Sequence, residues 1–152
     1  MSSLTKALAR LSLGTLLFVS TSLLSACLRS TAPQSSLLQL AGSWTYTGVQ
    51  TGPIRETLTG TLAISRESGI SFQGRLDVVG VNEQTGQNRV LGGLVSGSLT
   101  GTDVVDFDAD LEAAPRRHVG QIVADTITGT WIGSSTDGTM SSGTFRVERE
   151  TR

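Results

Sequence analysis

A glycine followed two residues later by a large apolar residue recurs along the chain, as AGSW from Ala41, TGTL from Thr59, QGRL from Gln73, SGSL from Ser96, TGTW from Thr128 and SGTF from Ser142. Side chains on a strand alternate between its two faces, so both members of each pair point the same way. Glycine inside a strand weakens it, and its repeated use there calls for a physical reason. Sharp coiling of a small closed sheet supplies one: the glycine leaves room where the strand bends, and the apolar neighbour fills the interior. Trp44 and Trp131, each two residues after a repeat glycine, are therefore expected in the core.

The intervening residues carry the same period. In TLTGTLAIS, Leu58, Gly60, Leu62 and Ile64 fall on one face and Thr57, Thr59, Thr61 and Ser65 on the other. In ISFQGRLDV, Ile70, Phe72, Gly74, Leu76 and Val78 oppose Ser71, Gln73, Arg75 and Asp77. Further strands are predicted at about 43–50, 89–99, 102–111, 117–125, 126–133 and 140–149, separated by turn signals such as RESG, NEQTGQN, GTD and STDG. About eight half-buried strands with short connections predict an all-β fold, a single small antiparallel up-and-down barrel over residues 40–152.

GSWTYTG near the start of this region, GTW at Gly129 to Trp131 and GTF at Gly143 to Phe145 resemble the motifs of avidin-like and lipocalin-like eight-stranded barrels. The resemblance implies the same closed architecture. The polar constellation that avidins use for biotin is not seen near the first turn, so biotin binding is not carried over. Fold alone does not give function.

The first residues read as an address. MSSLTKALAR carries Lys6 and Arg10 and no acid; Leu11 to Leu24 is an apolar run, interrupted by Ser and Thr, of the length of a signal-peptide core and short of a spanning helix. An ordinary secretory cut after Ala26 would place the large Leu24 three residues before it, where a small residue is required. Leu24-Ser25-Ala26-Cys27 instead resembles the lipobox of bacterial lipoproteins. The resemblance implies cleavage between Ala26 and Cys27 and lipidation of Cys27 by diacylglycerol. Cys27 is the sole cysteine, so no disulfide can form within the chain. Residues 1–26 are then a lipoprotein signal peptide, and 27–39 a lipidated cysteine and flexible tether reaching on the order of 20 Å. Two or three acyl chains on one residue hold a protein on a membrane essentially permanently.

Removal of the signal takes two basic residues and no acid, leaving a mature net charge of about −3. Nucleic-acid binding loses its electrostatic footprint. The expected location is the bacterial cell envelope, lipid-anchored. Leu28 stands after the cysteine, where enteric lipoproteins kept at the inner membrane resemble one another in carrying Asp, which favours the outer membrane.

Candidate chemistry is sparse. His118, the sole histidine, is the one available base for a Ser-His-Asp hydrolase, with Asp125 or Asp137 as partner, but no G-x-S-x-G elbow accompanies it, and beside Arg116 and Arg117 in EAAPRR it reads as an exposed loop residue. Asp106, Asp108, Asp110 and Glu112 alternate with Phe107, Ala109 and Leu111, so the carboxylates share one strand face. Counted from Asp106, the sixth and twelfth positions of a calcium loop are Leu111 and Arg117 rather than Gly and Glu, so a solvated outer face is expected, countered by Arg116 and Arg117. No metal, cofactor or catalytic residue is expected. The functional expectation is a membrane-anchored, non-enzymatic binding or interaction module for a protein, glycan or small apolar ligand; the alternative is an envelope hydrolase.

Overall fold

The computed structural model describes residues 39–111, 114–134 and 138–150, with only the backbone of Arg66. The signal peptide, Ala26, Cys27 and the tether up to residue 38 lie outside the described residues, as do Glu112 and Asp137. Eight strands follow one another: β1 (Gly42–Gly52), β2 (Glu56–Ser68), β3 (Ser71–Asn82), β4 (Asn88–Thr100), β5 (Val104–Leu111), β6 (Ala114–Val123), β7 (Thr126–Ser134) and β8 (Met140–Arg149). Each is antiparallel to the next, and β1 also pairs with β8, so the sheet closes into an up-and-down barrel. Tyr46 marks the seam, opposite Gly60 on one side and Val147 on the other.

The glycine pairs sit where the period-two pattern puts them. A Cβ built on the repeat glycines Gly60, Gly74, Gly129 or Gly143 would lie 1.9, 2.2, 2.1 or 2.0 Å from a carbonyl oxygen of a neighbouring strand, as would one on Gly93, outside the repeat, at 2.0 Å. One on Gly97 would meet the Phe107 side chain at 2.4 Å, whereas one on Gly42, at φ +134°, would meet only the Arg149 guanidinium at 3.3 Å. No real Cβ fits against those carbonyl oxygens, so neighbouring strands approach there more closely than any side chain allows. The apolar partners fill the interior: Trp44, Leu62, Leu76, Trp131 and Phe145 are all buried, and Leu99 is partly buried. Phe107, Ala109 and Leu111 face inward as expected.

Three expectations are corrected. Ile70 is 62% exposed, because β3 begins at Ser71 and Ile70 belongs to the turn before it. β5 starts at Val104 instead of 102, after the turn at Gly101, whose φ is +69°. β6 starts at Ala114 instead of 117, so APRR is strand and not loop. Leu111 pairs with Ala114. Pro115 is accommodated near the strand's first residue, where a missing N–H costs least.

Gly60→Ala should lower unfolding stability by about 1–3 kcal/mol or more, the usual cost of overpacking, whereas Gly52→Ala, whose Cβ would meet nothing within 4 Å, should be nearly neutral in urea denaturation. Trp44→Ala and Trp131→Ala should each cost about 3–5 kcal/mol by the same measurement.

Candidate functional site

The two ends of the barrel differ chemically. At the near end, where the chain enters and leaves, Leu40 is buried and its carbonyl accepts a 2.9 Å hydrogen bond from Trp44 Nε1. The Arg149 guanidinium lies 4.2 Å over the Trp44 ring, donates to the Ala41 carbonyl at 3.1 Å and the Gln39 carbonyl, and pairs with Asp125 at 3.0 Å. The Leu40 N–H donates to Glu67 Oε1. The segment 39–41 is thereby pinned across the near end. Ile64, Phe72, Val105, Ile122, Ile127 and Val147 complete an apolar floor.

The middle of the lumen is aromatic. Phe107 stacks on the His118 imidazole at 4.5 Å between centroids, Phe145 meets that imidazole edge-on at 5.1 Å, and Tyr46 stacks on Phe145 at 6.1 Å. His118 is wholly buried, at 0% exposure, which corrects the expectation of a solvated loop histidine. The early start of β6 is the reason: it places Ala114, Arg116, His118 and Ile122 on the inward face and Pro115 and Arg117 outward. His118 Nδ1 donates to the Arg116 carbonyl at 2.8 Å, which leaves Nε2 as acceptor for the Tyr46 hydroxyl at 3.3 Å. Burial lowers the His118 pKa from 6.5 to about 4, and the Arg116 charge adds to that fall against the backbone hydrogen bond. Burial raises the Tyr46 pKa above its ordinary value, partly opposed by Arg116. The two ring nitrogens of His118 thus face the Tyr46 hydroxyl and the Arg116 carbonyl, not a serine or an aspartate. Asp125 is at the near end, bound to Arg149, and plays no part in this cluster.

At the far end β1, β3, β5 and β7 finish, and its lumenal layer is polar. Gln50, Glu56, Arg116 and Ser141 are buried there. Glu56 accepts from Arg89 at 2.6 and 3.0 Å, beside Gly80 of the strand between them. Gln50 Nε2 donates to the Ile54 carbonyl at 3.0 Å, and Ser141 Oγ donates to the Gly133 carbonyl at 3.4 Å. Arg116 lies 4.8 Å over the Trp131 ring. Sequence reading missed this layer because Arg116 was placed with Arg117 on the outside. The available signal was alternation itself, which sets Arg116 and His118 on one face and Arg117 on the other.

The described members of the acidic stripe, Asp106, Asp108 and Asp110, take the outward face as expected. Asp106 binds Arg117 at 2.6 and 3.1 Å, and that hydrogen-bonded ion pair lowers its pKa. Arg116, expected to help neutralise the stripe, points inward instead. Asp108 and Asp110 edge a surface groove of about 620 Å³ with Ser65, Gln73, Leu94, Ser96 and Pro115. Among the described residues no three His, Cys, Asp or Glu side chains gather as metal ligands.

The chain matches no protein-family model and no curated protein. Among solved structures it is similar to EF1p2_mFAP2b bound to DFHBI, with a TM-score of 0.60, 13% identity, and coverage of 73% of this chain and 94% of that one. It is also similar to a redesigned β-barrel, mFAP0, bound to DFHBI, with a TM-score of 0.52, 16% identity, and coverage of 72% and 98%. A Bacteroides ovatus structure of unknown function has a TM-score of 0.52 at 12% identity and covers 74% of this chain and 42% of that one. These likenesses establish the barrel fold.

Two outcomes follow from the site. The unfolded chain takes up a proton on His118 as pH falls through about 6.5, whereas the folded chain does so only near 4, so the unfolded state binds more protons between those values. Stability is present in full above about 6.5 and is lost as pH falls toward 4, by about 2 kcal/mol between pH 7 and pH 5. Urea midpoints should show that loss in the wild type and a smaller one in His118→Phe. For the outer stripe, millimolar Ca²⁺ should leave the melting temperature nearly unchanged, and a rise of several degrees that Asp108→Asn removes would identify a calcium site there.

Proposed function

We propose that this protein is a bacterial envelope lipoprotein, anchored through a lipid on Cys27, whose barrel is a non-enzymatic binding module. The observation that carries the binding half of this reading is the chemical asymmetry of the lumen. A barrel serving only as a spacer gains nothing from burying Gln50, Glu56, Arg116 and Ser141 at one end, since each polar group removed from water must be compensated. Interior polar groups gathered at one end of an otherwise apolar lumen match the general build of small-molecule sites, apolar walls with a few placed hydrogen-bonding groups. Two of the similar barrels are bound to DFHBI, which is consistent with a fold that holds a ligand.

The anchoring half rests on the Leu24-Ser25-Ala26-Cys27 box and the basic and apolar segments before it. The tether joins the barrel at the near end, through Gln39 and Leu40, so the polar end is the one opposite the attachment. Outer-membrane sorting is part of the proposal, on the strength of Leu28.

Labelling of expressing cells with radioactive palmitate should mark the wild type and fail to mark Cys27→Ala; label retained on Cys27→Ala would overturn the anchor. Native mass spectrometry of the protein extracted from membranes should show a retained small molecule, and an unliganded mass from every preparation would count against the binding module.

A further inference from the structure

The chain has two tryptophans, both buried, both two residues after a glycine of the repeat, and their indole N–H groups have different fates. Trp44 Nε1 donates to the Leu40 carbonyl and helps close the near end. Trp131, 1% exposed, has no hydrogen-bond partner for Nε1 among the described residues. An unmatched buried donor costs on the order of 1–3 kcal/mol, and native proteins keep few of them.

A second unmatched atom belongs to a residue of the same buried polar layer. Gln50 is 4% exposed and its Nε2 is committed to the Ile54 carbonyl, which fixes the amide orientation and leaves Oε1 without a donor among the described residues. Gln50 and Trp131 are the two cross-strand partners of Gly143, one on each side. The Nε1 edge of the Trp131 indole lies 2.8 Å from where a Gly143 Cβ would be. The residues that carry a buried donor and a buried acceptor thus flank one glycine, in the polar layer of the far end.

We infer that Trp131 Nε1 and Gln50 Oε1 form the recognition pair for a neutral ligand head that carries a hydrogen-bond acceptor and a donor side by side, an amide or lactam edge. Trp131 gives its proton to the ligand carbonyl, and Gln50 takes one from the ligand N–H. A carboxylate fits less well, because one of its oxygens would face the Gln50 carbonyl oxygen with no proton between them. A hydrocarbon would leave both atoms unmatched. The Arg116 guanidinium lies 4.8 Å over the Trp131 ring, so Trp131 is packed on its face and its Nε1 edge is the part left for a ligand. This assignment rests on the binding-module reading and narrows it to one end of the lumen and one class of head group.

Two tryptophans give two indole signals in a ¹H–¹⁵N spectrum of the full chain, so the near end is an internal reference for the far end. Titration with 2-pyrrolidinone should shift the Trp131 indole signal saturably and leave that of Trp44 in place, while butyrate at equal concentration shifts neither. Gln50→Met should weaken the 2-pyrrolidinone response at least tenfold with the Trp44 signal retained as proof of folding. No saturable Trp131 shift, a stronger response to butyrate, or an undiminished response in a folded Gln50→Met would overturn the assignment. If Gln50→Met does not fold, the wild-type contrast between the two probes decides alone. An ordered water bridging the two atoms in a crystal grown with 2-pyrrolidinone would also overturn it. A small molecule retained in native mass spectrometry alongside an unresponsive Trp131 would leave the binding module standing and remove only this site.

Discussion

The barrel depends on the distance between adjacent strands at its inward glycines. At Gly60, Gly74, Gly93, Gly129 and Gly143 a neighbouring carbonyl oxygen occupies the space of a side chain, so the sheet can coil tightly enough to close. Closure removes the free edges that make open sheets prone to further pairing. It also narrows the lumen until the side chains two residues further on meet across it. The conformational cost of glycine in a strand is therefore offset by packing that a flatter sheet could not reach.

What fills that lumen follows from position along the axis. The near end is floored by aliphatic side chains and pinned by Arg149, which binds three backbone or side-chain oxygens and covers Trp44. The centre is a cluster of rings in which His118 behaves as a fourth kind of aromatic, neutral because burial outweighs its hydrogen bond to Arg116. The far end is the layer where polarity enters. Each layer supports the next: the Arg116 carbonyl orients His118, and the Arg116 guanidinium covers Trp131.

Much of this architecture is legible in the sequence, because one periodicity controls it. Alternation in TLTGTLAIS and in DVVDFDADLE predicts which residues go inward, and Leu58, Leu62, Ile64, Phe107, Ala109 and Leu111 are all buried. The spacing of turn signals yields the strand count, and the glycine pairs yield the curvature. The failures share a cause. EAAPRR contains a proline and three charged residues, and composition argued for a loop where alternation argued for a strand. Composition reports the average surroundings of a segment, whereas the fate of a strand residue depends on which of two faces it takes. Arg116 and Arg117 are adjacent and chemically identical, yet one lies under a tryptophan and the other in solvent beside Asp106. Burial of a charge also depends on partners from strands distant in sequence, which no local pattern displays.

The contrast between the two tryptophans carries the same principle into function. Both obey the repeat, so sequence predicts equal burial and equal cost of truncation. Their N–H groups differ because the chain crosses one end of the barrel and not the other: segment 39–41 brings the Leu40 carbonyl to Trp44, and no described segment brings a carbonyl to Trp131. The protein thus satisfies its own hydrogen bond at the end that segment 39–41 crosses, and at the opposite end it leaves Trp131 Nε1 and Gln50 Oε1 without a partner among the described residues. A packed barrel built only for stability would be expected to treat both ends alike, since an internal partner for Trp131 removes a penalty and requires only one further carbonyl. On the binding-module reading proposed above, the asymmetry follows from a ligand that completes the unmatched pair at one end instead of the fold.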